Sequence, residues 1–241
     1  MRSVDRFGSR AEVYAEFRPS YPSEALDAVL DGLGDPAALS VADVGAGTGI
    51  SAHLFAERGA RVIAIEPNAA MRAAARPHPR VTWRDATAEI TGLPDASVDL
   101  VVACQAFHWF ATAATMREFR RIARRRAALL QYERDERDAF TQAYGEIVRT
   151  YATDDTELLR AAALDVFRGF PGARAGASTA LSKQSLNREE LLGRIASASY
   201  LPNEGAAAAA LREEMEALFE RHRDGDRVEL KMVTHVLRAD W

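Results

Sequence analysis

Cysteine, long apolar runs and a surplus of basic residues are all missing from this sequence of 241 residues. Cys104 is the only cysteine, so no disulfide can form within the chain, and a reducing cytoplasm is the predicted location. The most apolar stretch, residues 98–114, contains Asp99, Gln105 and His108, and no segment reaches the roughly 20 apolar residues of a membrane-spanning helix. The first residues have no apolar segment typical of a secretory signal. The sequence therefore predicts no membrane as a partner.

Acidic residues slightly outnumber basic ones, with 35 Asp and Glu against 31 Lys and Arg. The formal net charge of −4 gives no general reason to expect nucleic acid as a partner. Basic residues concentrate in one segment, which contains Arg117, Arg120, Arg121, Arg124, Arg125 and Arg126. We predict that several of these arginines lie near the end of a helix, where the helix dipole favours cations. The alternative is a patch that binds RNA.

Short apolar segments alternate with helical patterns from residue 41 onward. The predicted strands are "SVADV", "RVIAIE", "VTWRDA", "VDLVVACQAF" and "AALLQYE", and a helix over residues 112–126 precedes the last of these. Continuous apolar strands that alternate with helices predict a parallel sheet covered by helices on both faces. Two further helices, separated by Pro19 and Pro22, are predicted before this region.

The alternation of strands and helices stops after Asp135. Residues 139–169 are predicted to form a helical insertion that acts as a lid at one edge of the sheet. A segment of mixed character follows, and Asn187 with Glu190 is typical of a capped helix start. A helix over residues 211–222 and a final strand with alternating side chains are predicted to end the chain.

The segment "DVGAGTG", residues 43–49, is predicted to be a loop between the first strand and a helix. The dinucleotide fingerprint requires a glycine where Ile50 stands, and the Walker loop requires a Lys-Ser or Lys-Thr pair that is absent. The loop is therefore predicted not to bind a pyrophosphate. Glu66 ends the second predicted strand, where a carboxylate can accept hydrogen bonds from both ribose hydroxyls of an adenosine. Such a combination suits S-adenosylmethionine, with its carboxylate near the helix N-terminal amides.

Several motifs extend this interpretation. The segments "DVGAGTG", "VIAIEPNAAM", "TAEITGLPDASVDLVV" and "QAFHWF" resemble successive motifs of class I S-adenosylmethionine-dependent methyltransferases. The chain is most similar to their small-molecule group known as methyltransferase type 11, which includes relatives of trans-aconitate and ubiquinone-pathway enzymes. "AEVYAEFRPSYP" and "SASY" are similar to an N-terminal and a late motif of that group.

The resemblance implies a fold and a domain plan. The fold is a Rossmann-like, doubly wound α/β sheet of seven mostly parallel strands with an antiparallel last strand. An N-terminal helical cap and a helical insertion after the fifth strand are added to it. Residues 1–241 would be one domain, in which the cap covers 1–38, the cofactor-binding core 39–135, the insertion 136–172 and the C-terminal part 173–241.

The resemblance also implies a cofactor site. S-adenosylmethionine, which becomes S-adenosylhomocysteine, would be held by Asp43, Gly45, Ala46, Gly47, Gly49, Glu66, Pro67, Met71, Thr87, Ala88, Glu89, Gln105 and Ala106. Within this set the glycines surround the methionine part, Glu66 holds the ribose, and Gln105 lies beneath the sulfonium. One departure is the segment "RRIARRRAALL", which replaces the Pro-Gly-Gly turn that relatives have before the fifth strand. The start of that strand therefore stays open.

The acceptor site is less closely determined by the sequence. His108 follows the fourth strand, and it is either a general base or a residue of the pocket rim. Further candidates for the acceptor pocket are Tyr14, Arg18, Tyr21, Phe107, Trp109 and Tyr200. The D/N-P-P-Y/F motif of many N-methyltransferases is absent at "ACQAFHW", and Cys104 lacks the preceding proline of cytosine-C5 enzymes. The other histidines have no metal-ligand spacing, so no metal is expected.

A small-molecule acceptor, methylated at oxygen or carbon, is therefore the favoured prediction. A tRNA or protein substrate is the first alternative, and cofactor binding without methyl transfer is the second. The sequence does not indicate the oligomeric state.

Overall fold

The computed structural model describes residues 19–241, which form a seven-stranded sheet with helices on both faces. The strands are β1 (Ser40–Val44), β2 (Arg61–Ile65), β3 (Val81–Arg84), β4 (Val98–Cys104), β5 (Ala123–Arg134), β6 (Arg174–Leu186) and β7 (Val228–Asp240). The α-helices in this part are α1 (Ser23–Leu30), α2 (Ile50–Glu57), α3 (Ala69–Ala73), α4 (Ala113–Ile122), α5 (Ala139–Tyr151), α6 (Thr156–Arg168), α7 (Arg188–Ala196) and α8 (Gly205–His222). None of these helices is long and apolar enough to cross a membrane.

The strand order in the sheet is β3-β2-β1-β4-β5-β7-β6. Neighbouring strands from β3 to β5 are parallel, and β7 runs antiparallel to both β5 and β6. Six strands therefore point in one direction and the last strand in the other, which confirms the predicted fold class. The order reverses between β1 and β4, and ligands of open α/β sheets bind in the crevice at such a switch point.

The boundary between α4 and β5 differs from the prediction. The helix ends at Ile122, and Ala123 already has the extended backbone of the strand. The predicted helix over residues 112–126 is therefore wrong at its end. Arg126 lies in β5, where its guanidinium pairs with Asp240 of β7 and donates to the main-chain carbonyls of Val29 and Asp31 at the end of α1. These distant contacts stabilise an extended chain where the local sequence favours a helix.

Strand β6 occupies the segment of mixed character. It pairs with β7 over its whole length, from Arg174 opposite Asp240 to Leu186 opposite Val228. Most of its side chains are exposed because β6 is the edge strand of the sheet. An exposed edge strand lacks the apolar pattern by which the buried strands are recognised.

Two apolar clusters cover the two faces of the sheet, and a third lies beneath α5, α7 and α8. Helices α5 and α6 follow β5 directly, within the residues predicted to form the insertion. Of the predicted N-terminal cap, only residues 19–38 belong to the described part, and the first predicted helix lies outside it. The capping box of Asn187 and Glu190 is present at the start of α7, as predicted.

Candidate active site

A cavity opens at the carboxyl ends of β1 to β5, over the switch point of the sheet. It contains about 1120 Å³ of empty space, part of which is open solvent at the mouth. Its wall includes every predicted cofactor residue except Asp43 and Gly49.

The glycine loop forms the floor of the cavity between β1 and α2. Gly45 and Gly47 both have positive φ angles, of 72° and 59°, which favour glycine. A Cβ atom at Gly45 would lie 2.7 Å from the Cβ of Ala106, so close packing of the loop on the β4 exit excludes any side chain there. A Cβ atom at Gly47 would meet no atom of residues 19–241 within 4 Å, so these residues leave open space above the loop.

Glu66 connects the glycine loop to the exit of β2. Its Oε2 accepts a hydrogen bond from the Gly47 amide, and its Oε1 accepts one from the Asn68 amide, each at 2.9 Å. Burial raises the pKa of Glu66, while these two amides act in the opposite direction. Each carboxylate oxygen keeps further acceptor capacity, so the group can also receive hydroxyl donors from a ligand.

Asn68 is a wall residue that the sequence prediction missed. Its side-chain oxygen accepts hydrogen bonds from the amides of Ala70 and Met71 and so caps α3. The signal was present in "PNAAM", because asparagine before a short helical pattern is typical of an N-cap. Capping by Asn68 determines where Met71 enters the cavity wall.

Asp43 lies behind the wall and is completely buried. Its Oδ2 accepts a hydrogen bond of 2.6 Å from the hydroxyl of Ser51, a wall residue on α2. Burial raises the pKa of Asp43 to about 7, and the negative charge of Glu66 adds to the increase. Gly49 is also outside the wall: it is the N-cap of α2, and a Cβ atom there would lie 3.0 Å from the ring of Trp83.

Gln105 leaves β4 in a left-handed backbone conformation, with a φ angle of 52°. Its amide N–H donates to the Leu130 carbonyl at 2.8 Å, and its side-chain Nε2 donates to the Tyr132 carbonyl at 2.9 Å. Because a carbonyl only accepts, this contact determines which atom of the side-chain amide is nitrogen. Strand β5 therefore holds the side chain in one orientation.

Two buried side-chain oxygens of the wall lack a hydrogen-bond partner within residues 19–241. They are Gln105 Oε1 and Thr48 Oγ1. Buried oxygens without hydrogen-bond partners are rare in folded proteins. A polar molecule bound in the cavity would supply the missing hydrogen bonds. The charged wall residues in the same part of the chain are Glu66 and Glu89, which are both acidic and therefore suit a positively charged ligand.

The predicted acceptor residues separate into different environments. Tyr21 and Trp109 line the cavity, together with Phe110 and Tyr132, which the sequence prediction missed. Phe110 follows β4 and Tyr132 lies near the end of β5. Because these residues are distant in sequence, only the assembled sheet shows that both line the cavity. Tyr14 and Arg18 lie outside the described residues.

Three other predicted acceptor residues are not part of the cavity wall. Phe107 is fully buried among aromatic rings of the core, and its ring lies 5.5 Å from that of Phe167. Tyr200 packs in the third apolar cluster, beneath the guanidinium of Arg160. His108 is buried in a 3-10 turn, and its ring centre lies 4.6 Å from that of Trp109. Trp109 and Phe110 line the cavity while Phe107 and His108 do not, a difference that the sequence does not show.

Comparisons with known proteins return methyltransferases. Residues 42–130, which are less than half of this chain, match the sequence family described as a methyltransferase domain. A solved structure from Anaeromyxobacter dehalogenans, designated a type II methyltransferase, superposes with a TM-score of 0.72 at 29% identity and covers 92% of this chain and 97% of its own. This chain is therefore similar to methyltransferases in sequence over residues 42–130 and in fold over most of its length.

Other relatives are also methyltransferases by name. An uncharacterized methyltransferase of Mycobacterium tuberculosis is 39% identical over 145 residues, which are 59% of this chain and 58% of the relative. The match thus spans little more than half of that relative's length. A structure from Anabaena variabilis, assigned as a methyltransferase of antibiotic biosynthesis, has a TM-score of 0.65 at 23% identity, covers 93% of this chain and 98% of its own, and shows the shared fold alone.

Proposed function

We propose that this protein is a methyltransferase, which transfers the methyl group of S-adenosylmethionine to an oxygen or carbon atom of a small molecule. The bond between the sulfonium and the methyl carbon breaks, a bond from the acceptor atom to that carbon forms, and S-adenosylhomocysteine is released. The acceptor loses a proton, unless it is already ionised. The observation that carries the proposal is the position of the Glu66 carboxylate, which is hydrogen-bonded to Gly47 at the edge of the cavity.

We assign the cofactor to the cavity by the order of the strands. Glu66, at the end of β2, would receive the ribose hydroxyls, and Pro67 and Met71 would pack against adenine. Thr87, Ala88 and Glu89, which follow β3, would border the adenine edge. The methionine part would cross the glycine loop, with the sulfonium beside Gln105 and Ala106. The protein contributes mainly alignment, since the cofactor supplies the reactive carbon.

The small-molecule assignment draws support from the arginine-rich segment. Arg121 binds Glu118 and Asp95, and Arg124 binds Asp99. Arg126 pairs with Asp240, and the guanidinium of Arg125 donates to the main-chain carbonyls of residues 32 and 33. Arg120 lies over the ring of Trp241. Guanidinium groups held by the protein itself are poorly available for phosphates, which disfavours an RNA substrate.

This proposal does not require His108 to act as a general base. A general base must come within hydrogen-bond reach of the acceptor, and His108 is not among the described residues of the cavity wall. An enolate or a carboxylate acceptor needs no base at neutral pH, because it is already ionised. The role of His108 as a base stays a prediction, which is tested below.

Two measurements on the full chain test the proposal. S-adenosylhomocysteine is titrated into the protein in a calorimeter, and its release from S-adenosylmethionine is then followed with a panel of phenols, enols, carboxylic acids and amines. We expect binding in the first experiment and release with at least one acceptor in the second. Binding without release across the panel favours a cofactor-binding protein, and absence of binding contradicts the proposal.

A further inference from the structure

The cavity has a nucleoside end and an acceptor end. Strand order places β2 and β3 on one side of the glycine loop and β4 and β5 on the other. Under the proposed function, on which this inference rests, the nucleoside lies beside Glu66 and the sulfonium beside Gln105. The acceptor must therefore approach from the ends of β4 and β5, where Tyr21, Trp109 and Tyr132 line the cavity.

Tyr21 and Tyr132 form a continuous aromatic wall at the acceptor end. Their ring centres are 5.9 Å apart and the ring planes are inclined by 49°. Tyr132 belongs to the third apolar cluster, and Tyr21 packs against both the first and the third. The wall is therefore held in place by core packing, as a preorganised surface for a flat ligand must be.

The described wall at the acceptor end carries no charged side chain. Glu66 and Glu89, the charged residues of the described wall, lie at the proposed nucleoside end. Arg194 stacks on Tyr132, with its guanidinium carbon 5.8 Å from the ring centre, and is not among the wall residues of the described part. An aromatic surface of this kind favours a ligand that brings apolar contact area.

We propose that the acceptor is a planar ring compound, which packs against the wall formed by Tyr21 and Tyr132. Apolar ring faces gain contact area there. Phenols and heteroaromatic compounds belong to this class. Fatty acids and other open-chain compounds do not.

Two probes test the preference for a ring. The full chain is saturated with S-adenosylhomocysteine and titrated in a calorimeter with 2-naphthol and 1-octanol. We expect 2-naphthol to bind about tenfold or more tightly than 1-octanol, a difference of about 1.4 kcal/mol. A smaller difference, tighter binding of 1-octanol, or no binding of either probe would overturn the inference.

Failure of the proposed function is recognised separately, because it appears as missing binding of S-adenosylhomocysteine itself. In that case both proposals are lost. Normal binding of S-adenosylhomocysteine with the wrong probe preference removes only the assignment of the acceptor.

Variants then locate the bound probe. Tyr132→Leu should weaken 2-naphthol binding by roughly three- to tenfold, the effect of one aromatic contact, without changing the affinity for S-adenosylhomocysteine. Tyr132→Phe should restore the affinity for 2-naphthol. Tyr144→Leu is the matched control, since Tyr144 is equally buried in the same cluster and is not a wall residue. An equal loss of 2-naphthol binding in the control would show an effect of core packing and contradict the inference.

Discussion

Glu66 and Gly47 belong to two different strand exits, and a hydrogen bond of 2.9 Å joins the carboxylate of one to the backbone amide of the other. The same carboxylate binds the amide of Asn68. One side chain therefore holds the two loops that border the proposed cofactor site, while both of its oxygens keep acceptor capacity toward the cavity. The first prediction concerns this group.

Glu66→Ala should weaken S-adenosylhomocysteine binding by more than about tenfold while the chain stays folded. Loss of a charge-assisted hydrogen bond to a ligand costs about 1.5–3 kcal/mol, which corresponds to this factor. Calorimetry measures the affinity, and the melting temperature verifies the fold. Glu57→Ala, an exposed carboxylate on α2, is the control and should bind normally. Unchanged affinity of Glu66→Ala would remove this carboxylate from the site.

Gly47→Ala should lower the affinity for S-adenosylhomocysteine more than it lowers stability. The new Cβ meets no atom of the described residues within 4 Å, and the positive φ angle opposes it at about 1–2 kcal/mol. Gly32→Ala is a matched control, because Gly32 also has a positive φ angle and open space but lies outside the cavity wall. Both variants should lose similar stability in urea unfolding. Equal cofactor affinity in the two would contradict the placement of the methionine part over Gly47.

Stability should decline as the pH rises toward about 7, and Asp43→Asn should reduce this decline. Burial raises the pKa of Asp43 from 3.8 to about 7, so between these values the folded protein holds a proton that the unfolded chain releases. Because the unfolded state binds fewer protons in this range, the free energy of unfolding falls as the pH rises. The total decrease between the two pKa values is about 4 kcal/mol. Urea unfolding from pH 5 to pH 8 measures the slope. The same slope in Asp43→Asn would contradict the assignment to this carboxyl.

His108→Gln should reduce kcat by less than about tenfold, because His108 is buried beside Trp109 and is not a residue of the described wall. A general base would contribute about 10²–10⁴-fold, and its loss would also remove a limb of the pH profile. The pH dependence of kcat, measured with an acceptor found in the panel, separates the two roles. A loss of a hundredfold or more, together with a missing limb, would identify His108 as the base.

Arg126→Ala should lower the free energy of unfolding by about 3–5 kcal/mol, the effect of breaking a buried ion pair. Arg126 is buried and joins β5 to Asp240 and to the main chain around α1. Arg117 is exposed in the same segment, and Arg117→Ala should change stability by less than about 0.5 kcal/mol. Urea unfolding compares the two variants. Similar small effects in both would contradict the structural role of Arg126.

Most elements around the proposed cofactor site can be predicted from the sequence. The strand that ends at Val44, the glycine loop and the strand before Glu66 are local patterns, in which each residue meets neighbours that are close in the chain. The capping box of Asn187 is local in the same way. Side-chain period, glycine spacing and cap chemistry act within a few residues, so they act before any distant contact forms.

The acceptor half depends on contacts between distant parts of the chain. Arg126 extends β5 because it reaches Asp240, and β6 becomes a strand because β7 lies beside it. Tyr132 becomes a cavity residue because Tyr21 packs against its ring. The sequence by itself determined the sheet's central strands, the glycine loop and the similarity to methyltransferases. Tertiary structure decided which aromatic rings face the cavity, since that choice depends on which distant surfaces compete to bury each ring.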